Sequence, residues 1–495
     1  MPSPPDLIYP TAAVRAADRH AIEELGIPGY ALMTRAAEAA LAVLRAQWPL
    51  VRRLLVLCGP GNNGGDGYVL ARLARAAGLE VTLCAPAGPP PGGDAARAAD
   101  DWHAVAGAVV PWDAGLPALA EVVVDALLGT GLARGVGEPL ATVIDTVNTA
   151  GRPVLALDVP SGLDADTGAI HGTAVRASVT VTFVGRKPGF YLGCGFEHVG
   201  RLVCDELGVP AAAFAGREPA LRRLTTRALG LLLRRRPRTA HKGTNGRVLV
   251  IGGGPGMPGA ALLAGTAALR AGAGLVTVAT WPAHAGALAA ARPELICLAA
   301  EEPASLASAC AAADVVAVGP GLGRSEWAAR LVAVAFAHAR RLIVDADGLN
   351  ELAAHPSRRA QWCLTPHPGE AARLLGTDAA AVQADRLAAV RALVARYGGV
   401  AVLKGAGTLV ATGAGVPWVC ERGNPGMAAP GMGDVLTGVI AAIAAQQPDP
   451  EAALGPAAAA GVLVHAQAGD RAARGGERGM LASDLIAELP ACVNP

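Results

Sequence analysis

The chain has 495 residues, of which 52% are hydrophobic and 17% charged, and its formal net charge at pH 7 is +1. This length predicts two domains, and the near-zero charge gives no reason to expect a nucleic-acid partner. No apolar run reaches the roughly 18 residues of a membrane helix, and no export signal is evident at the start. Nine scattered cysteines without a C-x-x-C pair argue against a zinc ribbon or a disulfide framework. We therefore expect a globular cytoplasmic protein without membrane contact.

Strands and helices alternate through the first half of the chain. The pattern predicts two helices over residues 12–47, separated at Gly26–Gly29, and then a strand over Leu54–Cys58. A glycine-rich loop follows, and the next helix is predicted to begin near Tyr68. Strand patterns return in EVTLC, EVVVDALLGTG and PVLALDVPSG. This alternation is typical of a parallel sheet covered by helices.

A change of pattern marks the predicted domain boundary. Between about Ala211 and Arg238 the strand signals disappear and arginines accumulate. We therefore predict a first domain over 1–215, a linker over 216–238 and a second domain over 239–495. The alternation restarts with RVLVIGGG, LVTVAT, DVVAVGPGLG, RLIVDADGLN and VAVLKGAGT, so the second domain is also α/β with its own core.

The loop GPGNNGGDG contains G-x-G-x-x-G directly after a predicted strand. Gly59, Gly61 and Gly64 have the spacing that holds a pyrophosphate in NAD(P)-dependent dehydrogenases, although such glycines also serve to pack a helix against a sheet. Asp66 in the same loop would repel a phosphate unless it binds a hydroxyl or a cation. The loop therefore predicts more than a pyrophosphate site.

Other polar segments follow strands in this half. They are Asp125 with GTGLARG, Asp158 with Pro160 and Ser161, and KPGFYLGCG from Lys187. One aspartate at a strand end is typical of a helix cap or turn, but ligands of parallel sheets bind where the carboxyl ends meet. Three polar strand ends together predict a binding site.

These strings, NNGGD, DALLGTG, DVPSGLDADTG and KPG, resemble the hydrate epimerase family, which interconverts the R and S forms of hydrated NADH and NADPH. The resemblance covers about residues 10–210 and implies a Rossmann-like three-layer sandwich. It implies contacts with the hydrated dinucleotide at Asn62, Asn63, Gly64, Gly65, Asp66, Gly129, Thr130, Gly131, Leu132, Ala133, Arg134, Gly135 and Asp158.

The same resemblance implies a potassium ion and a catalytic group. The potassium ligands would be Asn63, Asp125 and Ser161, whose oxygen atoms suit a hard cation. Asp158 is the candidate acid/base, since proton transfer there would open the hydrated carbon to a planar intermediate that is rehydrated from either face. Some relatives have a lysine at Arg134. A guanidinium stays protonated, so we assign Arg134 to phosphate or hydroxyl binding.

In the second half, GNPGMAAPGMGDVLTG (Gly423–Gly438) places Asp434 just before a helical run. Backbone N–H groups there can stabilise a transferring phosphoryl group while Asp434 takes the proton of the attacking hydroxyl, although an aspartate in this position can also simply cap a helix. KGAGT, GPGLG, DADGLN and TPHPGE add a cation, backbone donors and a histidine, which favours a catalytic site. His367 lies between two prolines, and we predict a ligand role over a structural one.

Together these strings resemble the ribokinase-like superfamily and, within it, the NAD(P)H-hydrate dehydratase branch, over about residues 228–490. The resemblance implies a ribokinase-like α/β domain, Mg²⁺ at the dehydratase site and ADP as co-substrate. The implied nucleotide contacts are Lys404, Gly405, Ala406, Gly407, Thr408 and Gly433. The implied contacts with the hydrated dinucleotide are Ala260, Gly321, His367 and Asp434. Ala429 and Pro430 replace a Ser or Thr and a Gly that are common in this branch, and Pro430 has no N–H to donate.

The chain is therefore predicted to epimerise hydrated NADH and NADPH and then to dehydrate the S form with ADP, releasing AMP and phosphate. Two alternatives stay open: a ribokinase-like kinase of a vitamin precursor fused to a dinucleotide-binding domain, and a dehydrogenase or non-catalytic dinucleotide-binding module. The expected partners are small molecules. The sequence leaves the oligomeric state open, including a homo-oligomer.

Overall fold

The computed structural model describes residues 6–132, 134–447 and 454–494. The chain divides into two compact units after Leu221. The predicted linker over 216–238 is wrong in one respect, because this segment contains the strand Leu221–Arg223 and the helix Thr226–Leu232. The strand was not predicted from the sequence because three residues are too few to show an alternating pattern. The helices of the described residues all lack the combination of length and hydropathy that a membrane-spanning helix requires.

The first unit contains a parallel sheet of seven strands in the order β4-β3-β2-β5-β6-β7-β8. The strands of this unit are β1 (Leu7–Ile8), β2 (Arg53–Cys58), β3 (Glu80–Cys84), β4 (Val109–Val110), β5 (Val122–Ala126), β6 (Val154–Leu157), β7 (Val179–Phe183) and β8 (Arg201–Asp205). Its helices are α1 (Thr11–Glu23), α2 (Gly29–Gln47), α3 (Asn62–Ala76), α4 (Gly93–Ala104), α5 (Leu116–Leu119), α6 (Leu140–Thr149) and α7 (Gly195–His198).

Helices cover both faces of this sheet. Leu54 and Val56 of β2 belong to the core shared with α1 to α4, whereas Leu55 and Leu57 belong to the core shared with α6. Successive side chains of a strand point to opposite faces, so these two cores make three layers. The predicted three-layer α/β architecture is confirmed.

The helix after the glycine-rich loop begins earlier than predicted. We expected its start near Tyr68, but α3 begins at Asn62, after Gly61 in an extended conformation. Helix propensity disfavours two consecutive glycines, which led the prediction to place NNGGD in a loop. Tertiary packing outweighs that preference here, because Gly64 and Gly65 are buried where no side chain would fit.

The strands of the second unit follow the order β9-β18-β17-β16-β15-β14-β13-β10-β11-β12, and β17 alone among them runs antiparallel to its neighbours. They are β9 (Leu221–Arg223), β10 (Arg247–Ile251), β11 (Leu275–Thr280), β12 (Ile296–Ala299), β13 (Val315–Val318), β14 (Leu342–Val344), β15 (Trp362–Leu364), β16 (Val400–Leu403), β17 (Thr408–Thr412) and β18 (Trp418–Cys420).

The helices of this unit are α8 (Thr226–Leu232), α9 (Pro258–Arg270), α10 (Ala285–Ala291), α11 (Pro303–Ala312), α12 (Glu326–His338), α13 (Ala346–Ala354), α14 (Pro368–Leu375), α15 (Ala379–Ala384), α16 (Arg386–Tyr397), α17 (Met432–Ala445), α18 (Leu454–Ala472) and α19 (Ala482–Cys492). Helix α17 is buried from Val435 to Ala445 and packs against α9 and α18. The parallel strands β13 to β16 all point their carboxyl ends toward one edge, where the predicted motifs of this half follow them.

All nine cysteines are free thiols in the structure. Cys58 in the first unit and Cys363 in the second are fully buried within strands. Burial raises the pKa of both thiols above its usual value, because the thiolate would lose its hydration.

Candidate active sites

A cavity of about 850 Å³ opens beside the carboxyl ends of β2, β5 and β6 in the first unit. The predicted residues that line it are Asn62, Asn63, Asp66, Gly129, Thr130, Gly131, Leu132, Arg134 and Asp158. Gly64, Gly65 and Gly135 do not line it, and Ala133 falls outside the described residues. The structure therefore brings most of the predicted substrate contacts to one place.

Gly64 and Gly65 do not line the cavity, but they determine the position of the helix whose first residues do. A Cβ atom on Gly64 would lie 1.8 Å from the carbonyl oxygen of Gly59, and one on Gly65 would lie 2.7 Å from the Met33 side chain. These glycines allow the first turn of α3 to pack closely against the preceding loop and α2. That packing places Asn62, Asn63 and the helix N-terminus at the cavity, where backbone N–H groups favour an anion.

A buried ion pair holds Asp158. The Nζ atom of Lys187 lies 2.5 Å from Oδ1 of Asp158 and also donates to Thr182 Oγ1 (2.6 Å) and the Phe183 carbonyl (3.1 Å). The Lys187 side chain is only 1% exposed, whereas that of Asp158 is 18% exposed and lines the cavity. Asp158 directly follows β6 with a φ of +62°, a conformation that few residues other than glycine adopt. Lys187 thus fixes the orientation of the Asp158 carboxylate at the wall of the cavity.

The carboxyl groups of Asp18 and Asp66 line the same cavity as Asp158. Burial, together with the charges of Asp158 and Asp18, raises the pKa of Asp66 well above its usual value. The pKa of Asp18 is raised by burial and by Asp158. Carboxyl groups that share a low-dielectric space cannot all ionise, so the cavity can offer both a proton donor and a proton acceptor.

Several residues of the cavity were not predicted from the sequence. Arg15, Asp18 and Asp94 line the cavity, and Arg15 donates a hydrogen bond to the carbonyl of Thr130. Arg15 and Asp18 lie on α1, whose polar positions resemble the solvated face of an amphipathic helix. No local signal distinguishes them. Lys187 was named as the start of the KPGFYLGCG segment, but no role was predicted for it.

The three predicted potassium ligands lie close together. Ser161 Oγ donates to Asp125 Oδ1 (2.6 Å), and Asn63 Nδ2 donates to the Leu128 carbonyl (2.8 Å), which lies 3.2 Å from Ser161 Oγ. Asn63 Oδ1 is buried without a hydrogen-bond partner in the described part of the chain. Burial raises the pKa of Asp125 to about 6, against the opposing effect of hydrogen bonds from Ser161 and Leu127. A buried oxygen without a donor fits a bound cation.

In the second unit, Asp434 lies in the first turn of α17. The helix begins at Met432 after Gly431, so Asp434 belongs to it and does not precede it as predicted. It is not the N-cap residue, and the N-cap position is held by Gly431 without a side-chain hydrogen bond. Burial raises the pKa of Asp434 to about 7, with the charge of Asp345 adding to it and that of Lys404 opposing it. A carboxylate with such a pKa suits a general base near neutral pH.

Asp345 connects four elements beneath this turn. Its side chain is 2% exposed, and Oδ1 accepts hydrogen bonds from Lys404 Nζ (2.8 Å) and Thr365 Oγ1 (2.8 Å). Oδ2 accepts from Thr437 Oγ1 of α17 (2.9 Å). The ends of β14, β15 and β16 are thereby tied to the helix that carries Asp434. DADGLN was predicted as a motif of the site, but its first aspartate, Asp345, had no predicted role.

Lys404 and Gly433, two of the predicted nucleotide contacts, lie next to each other. A Cβ atom on Gly433 would lie 3.2 Å from Lys404 Nζ. Among the predicted dinucleotide contacts, Ala260 and Gly321 are adjacent, since a Cβ on Gly321 would lie 2.8 Å from that of Ala260. Gly405 and Ala406 are exposed beyond Lys404.

His367 has a structural role in addition to the ligand role predicted for it. Its Nδ1 atom accepts hydrogen bonds from the amides of Gly369 (3.0 Å) and Glu370 (3.4 Å), and Glu370 Oε2 accepts from the His367 amide (2.8 Å). This reciprocal pair caps the N-terminus of α14. The imidazole is 53% exposed, and its other nitrogen, Nε2, lies 3.4 Å from Oε1 of Glu370.

Comparison with known proteins resolves the family. Residues 29–189 match the model of the YjeF-related protein N-terminus, and residues 248–491 match that of NAD(P)H-hydrate dehydratase. The chain is 47% identical to the bifunctional NAD(P)H-hydrate repair enzyme Nnr of Coxiella burnetii, covering 99% of this chain and 100% of the relative. It belongs to the family of bifunctional NAD(P)H-hydrate repair enzymes.

Further similarities agree with this membership. The repair enzyme Nnr of Escherichia coli is 44% identical over 99% of this chain and 95% of that protein. A crystal structure of a ribokinase-like superfamily protein from Enterococcus faecalis matches 55% of this chain and 95% of its own, with 31% identity and a TM-score of 0.51. The predicted ribokinase-like fold of the second half is confirmed. A family that matches along the whole chain does not favour the vitamin-kinase alternative.

Proposed function

We propose that the two units act in sequence on hydrated NADH and NADPH. The first unit interconverts the R and S hydrates, and the second dehydrates the S hydrate with ADP. The observation that carries this proposal is the presence of one catalytic-type carboxylate in each unit: Asp158, held by Lys187 in the first cavity, and Asp434 beside Lys404 in the second site. The substrates are small molecules, and the nine free thiols support a reducing compartment such as the cytoplasm.

In the epimerase unit, the hydrated ring carbon would lie beside Asp158. Protonation of the hydroxyl group there releases it as water and leaves a planar carbon, and the return of water to either face, with loss of a proton, gives both epimers. Asn62, Asn63 and the N-terminus of α3 would bind the dinucleotide phosphates. Arg134, which lines the cavity, would bind a phosphate or hydroxyl group.

We further propose that Asn63, Asp125 and Ser161 hold the potassium ion of this unit. The buried Asn63 Oδ1 without a donor supports that assignment. The ion would supply positive charge next to the dinucleotide phosphates, while these residues fix the loop that contains Leu128.

In the dehydratase unit, Asp434 would accept the proton of the hydroxyl group on the hydrated carbon. The hydroxyl oxygen attacks the β-phosphorus of ADP, and the bond from phosphorus to AMP breaks. The ring nitrogen then expels phosphate, and loss of a proton from the adjacent ring carbon restores the dihydronicotinamide. The products are NAD(P)H, AMP and phosphate. Amides from Gly431 to Asp434 would stabilise the transferring group.

Mg²⁺ would enter this unit together with the nucleotide. Among the described residues, no group of three or more His, Cys, Asp or Glu side chains could hold a metal ion. Mg²⁺ is commonly bound through substrate phosphates and water with few protein ligands, which agrees with such a site.

The test uses chemically hydrated NADH containing both epimers, with the return of the reduced-nicotinamide absorbance followed with ADP, ATP or neither. Wild-type protein should clear both epimers in one phase when ADP is present. Asp158→Ala should clear the S epimer normally and the R epimer only at its spontaneous rate, which gives two phases. Asp434→Asn should lower dehydration by about 100- to 10,000-fold while ADP still binds. Wild-type rates in either variant would remove that residue from the mechanism.

A further inference from the structure

A buried arginine lies beneath the loop that joins β16 to β17. Arg386, the first residue of α16, is 4% exposed. Its NH2 atom donates to the carbonyl oxygens of Leu403 (3.2 Å), Lys404 (3.2 Å) and Gly407 (3.4 Å), and NH1 donates to Gln383 Oε1 (2.6 Å). One guanidinium group thus binds three carbonyl oxygens in and next to the KGAGT segment.

The other polar groups of this loop complete the arrangement. Thr408 Oγ1 donates to the carbonyl of Gly405 (2.8 Å), so a fourth carbonyl is also bound within the protein. The amides of Gly405, Ala406 and Gly407 have no hydrogen-bond partner among the described residues. Gly405 and Gly407 have φ values of +135° and +66°, which favour glycine. Successive unpaired amides in such a loop are typical of anion-binding sites.

Arg386 also carries a charge that no carboxylate neutralises. It forms no ion pair in the described part of the chain, and burial lowers the pKa of its guanidinium to about 10, which leaves the group protonated at neutral pH. A buried, unpaired charge is costly unless dipoles or a ligand compensate it. The loop carbonyls compensate part of that cost, and a bound phosphate group would compensate more.

We propose that Arg386 is a positioning residue for nucleotide binding, which holds the loop from Leu403 to Gly407 so that its unpaired amides receive a phosphate group of ADP. This inference rests on the proposed use of a nucleotide co-substrate in the second unit. Arg386 acts through the loop and has no role in the proton transfer at Asp434. Its loss should therefore weaken nucleotide binding more than it slows the chemical step.

The test compares full-length wild type, Arg386→Met and Arg386→Lys. Arg386→Met leaves three carbonyls without their donor, so KM for ADP should rise about tenfold or more, with kcat at saturating ADP and KM for the hydrate each within about threefold of wild type. Arg386→Lys keeps the charge without the planar fork and should recover part of the loss. ADP titration calorimetry should show the same order of affinities.

Arg341→Met is the matched control. Arg341 is 5% exposed and likewise donates to backbone carbonyls, those of Asp314 (3.0 Å) and Ala444 (2.8 Å). It precedes β14 and so lies at the sheet edge opposite the loop. Its replacement should lower the melting temperature without changing KM for ADP.

The outcomes separate this inference from the proposed function. If the wild-type enzyme uses only ATP, KM for ATP replaces KM for ADP as the measured quantity, and Arg386→Met should raise it by the same factor. Wild type that binds neither nucleotide would overturn both proposals. Functional wild type with an unchanged nucleotide KM in Arg386→Met, or an equal rise in Arg341→Met, would overturn the inference alone. If Arg386→Met does not fold, Arg386→Lys decides, and a nucleotide KM equal to wild type then counts against it.

Discussion

The ammonium group of Lys404 and the carboxylate of Asp345 lie 2.8 Å apart in the second unit, and both act on the charge of Asp434. Lys404 favours the ionised form of Asp434, whereas Asp345 opposes it, together with Asp347 and Glu370. The nearby His465 is buried and donates from Nε2 to the Met432 carbonyl (3.0 Å), and burial lowers the pKa of this histidine to about 4, so it adds no charge near neutral pH. The pair Asp345 and Lys404 therefore adjusts the pH at which the base becomes active.

Replacing Asp345 should move the pH dependence of dehydration to lower pH. The general base must be deprotonated, so the rate rises with pH through the pKa of Asp434, which is about 7. Asp345→Asn removes a negative charge that raises this pKa, and the rising limb should shift toward acid. The measurement is kcat/KM for the S hydrate across pH 5 to about 9.

Lys404→Met gives the opposite control. It removes the positive charge that lowers the pKa of Asp434, so the rising limb should shift toward alkaline pH even though the absolute rate falls. If Asp345→Asn and Lys404→Met shift the rising limb in the same direction, that limb reports a group other than Asp434. Thr437→Val, which removes one hydrogen bond to Asp345 without a change in charge, should move the limb less than either charge variant.

Lys187→Met should destabilise the first unit strongly. Loss of one partner from a buried ion pair leaves an uncompensated charge, which costs about 3–5 kcal/mol in free energy of unfolding. Asp158→Asn in the same background removes that charge and should recover part of the stability. Denaturant unfolding of the single and double variants measures the difference. A double variant less stable than Lys187→Met would contradict the ion-pair explanation.

Gly64→Ala should disturb the first turn of α3. The new Cβ atom would lie 1.8 Å from the Gly59 carbonyl oxygen, so the backbone must shift, at a cost of about 1–3 kcal/mol. Epimerisation should fall with it, because Asn62 and Asn63 move, while dehydration of the S hydrate should stay at the wild-type rate. Gly61→Ala is the control for stability, since nothing lies within 4 Å of its added Cβ. Equal free energies of unfolding for Gly64→Ala and Gly61→Ala would argue against this packing role of Gly64.

The second unit should be obtainable alone, and its stability should depend on β9. The Arg222 amide donates to the Pro417 carbonyl (2.8 Å), and Arg223 forms a partly buried ion pair with Glu421. A fragment that begins at Leu221 should therefore be more stable than one that begins at Leu224, by about 1–3 kcal/mol. Thermal unfolding and dehydration of the S hydrate measure both. A fragment from Leu224 with equal stability would show that β9 adds nothing.

Motifs at strand ends were predictable from the sequence because they join local pattern to chemistry. Asp158 and Asp434 stand out since each follows an apolar or glycine-rich segment in a recurrent arrangement. The alternation of strands and helices likewise predicted the parallel sheet of the first unit and the α/β class of the second, but not the antiparallel strand β17. The carboxyl ends of parallel strands meet at one edge of the sheet, so motifs that follow different strands come together there even when they are far apart in the chain. The clustering of these motifs was therefore predictable from the sheet topology.

What escaped prediction depends on packing across the fold. Arg15 and Asp18 reach the first cavity from a helix with an ordinary amphipathic pattern, and Arg386 begins an equally ordinary helix. Their importance arises from residues distant in sequence, such as Thr130 for Arg15 and Gly407 for Arg386. The early start of α3 is similar, because the fit of Gly64 against Gly59 outweighs the weak helix propensity of glycine.

The buried thiols provide a way to observe each unit separately. Cys58 and Cys363 lie in different units, and each is fully buried with a pKa raised by burial, so neither reacts readily while its sheet is intact. An alkylating reagent reaches such a thiol only when the surrounding structure opens. The order in which peptides with Cys58 and Cys363 become alkylated would therefore rank the two units by their opening free energies, in the intact chain and without an engineered label.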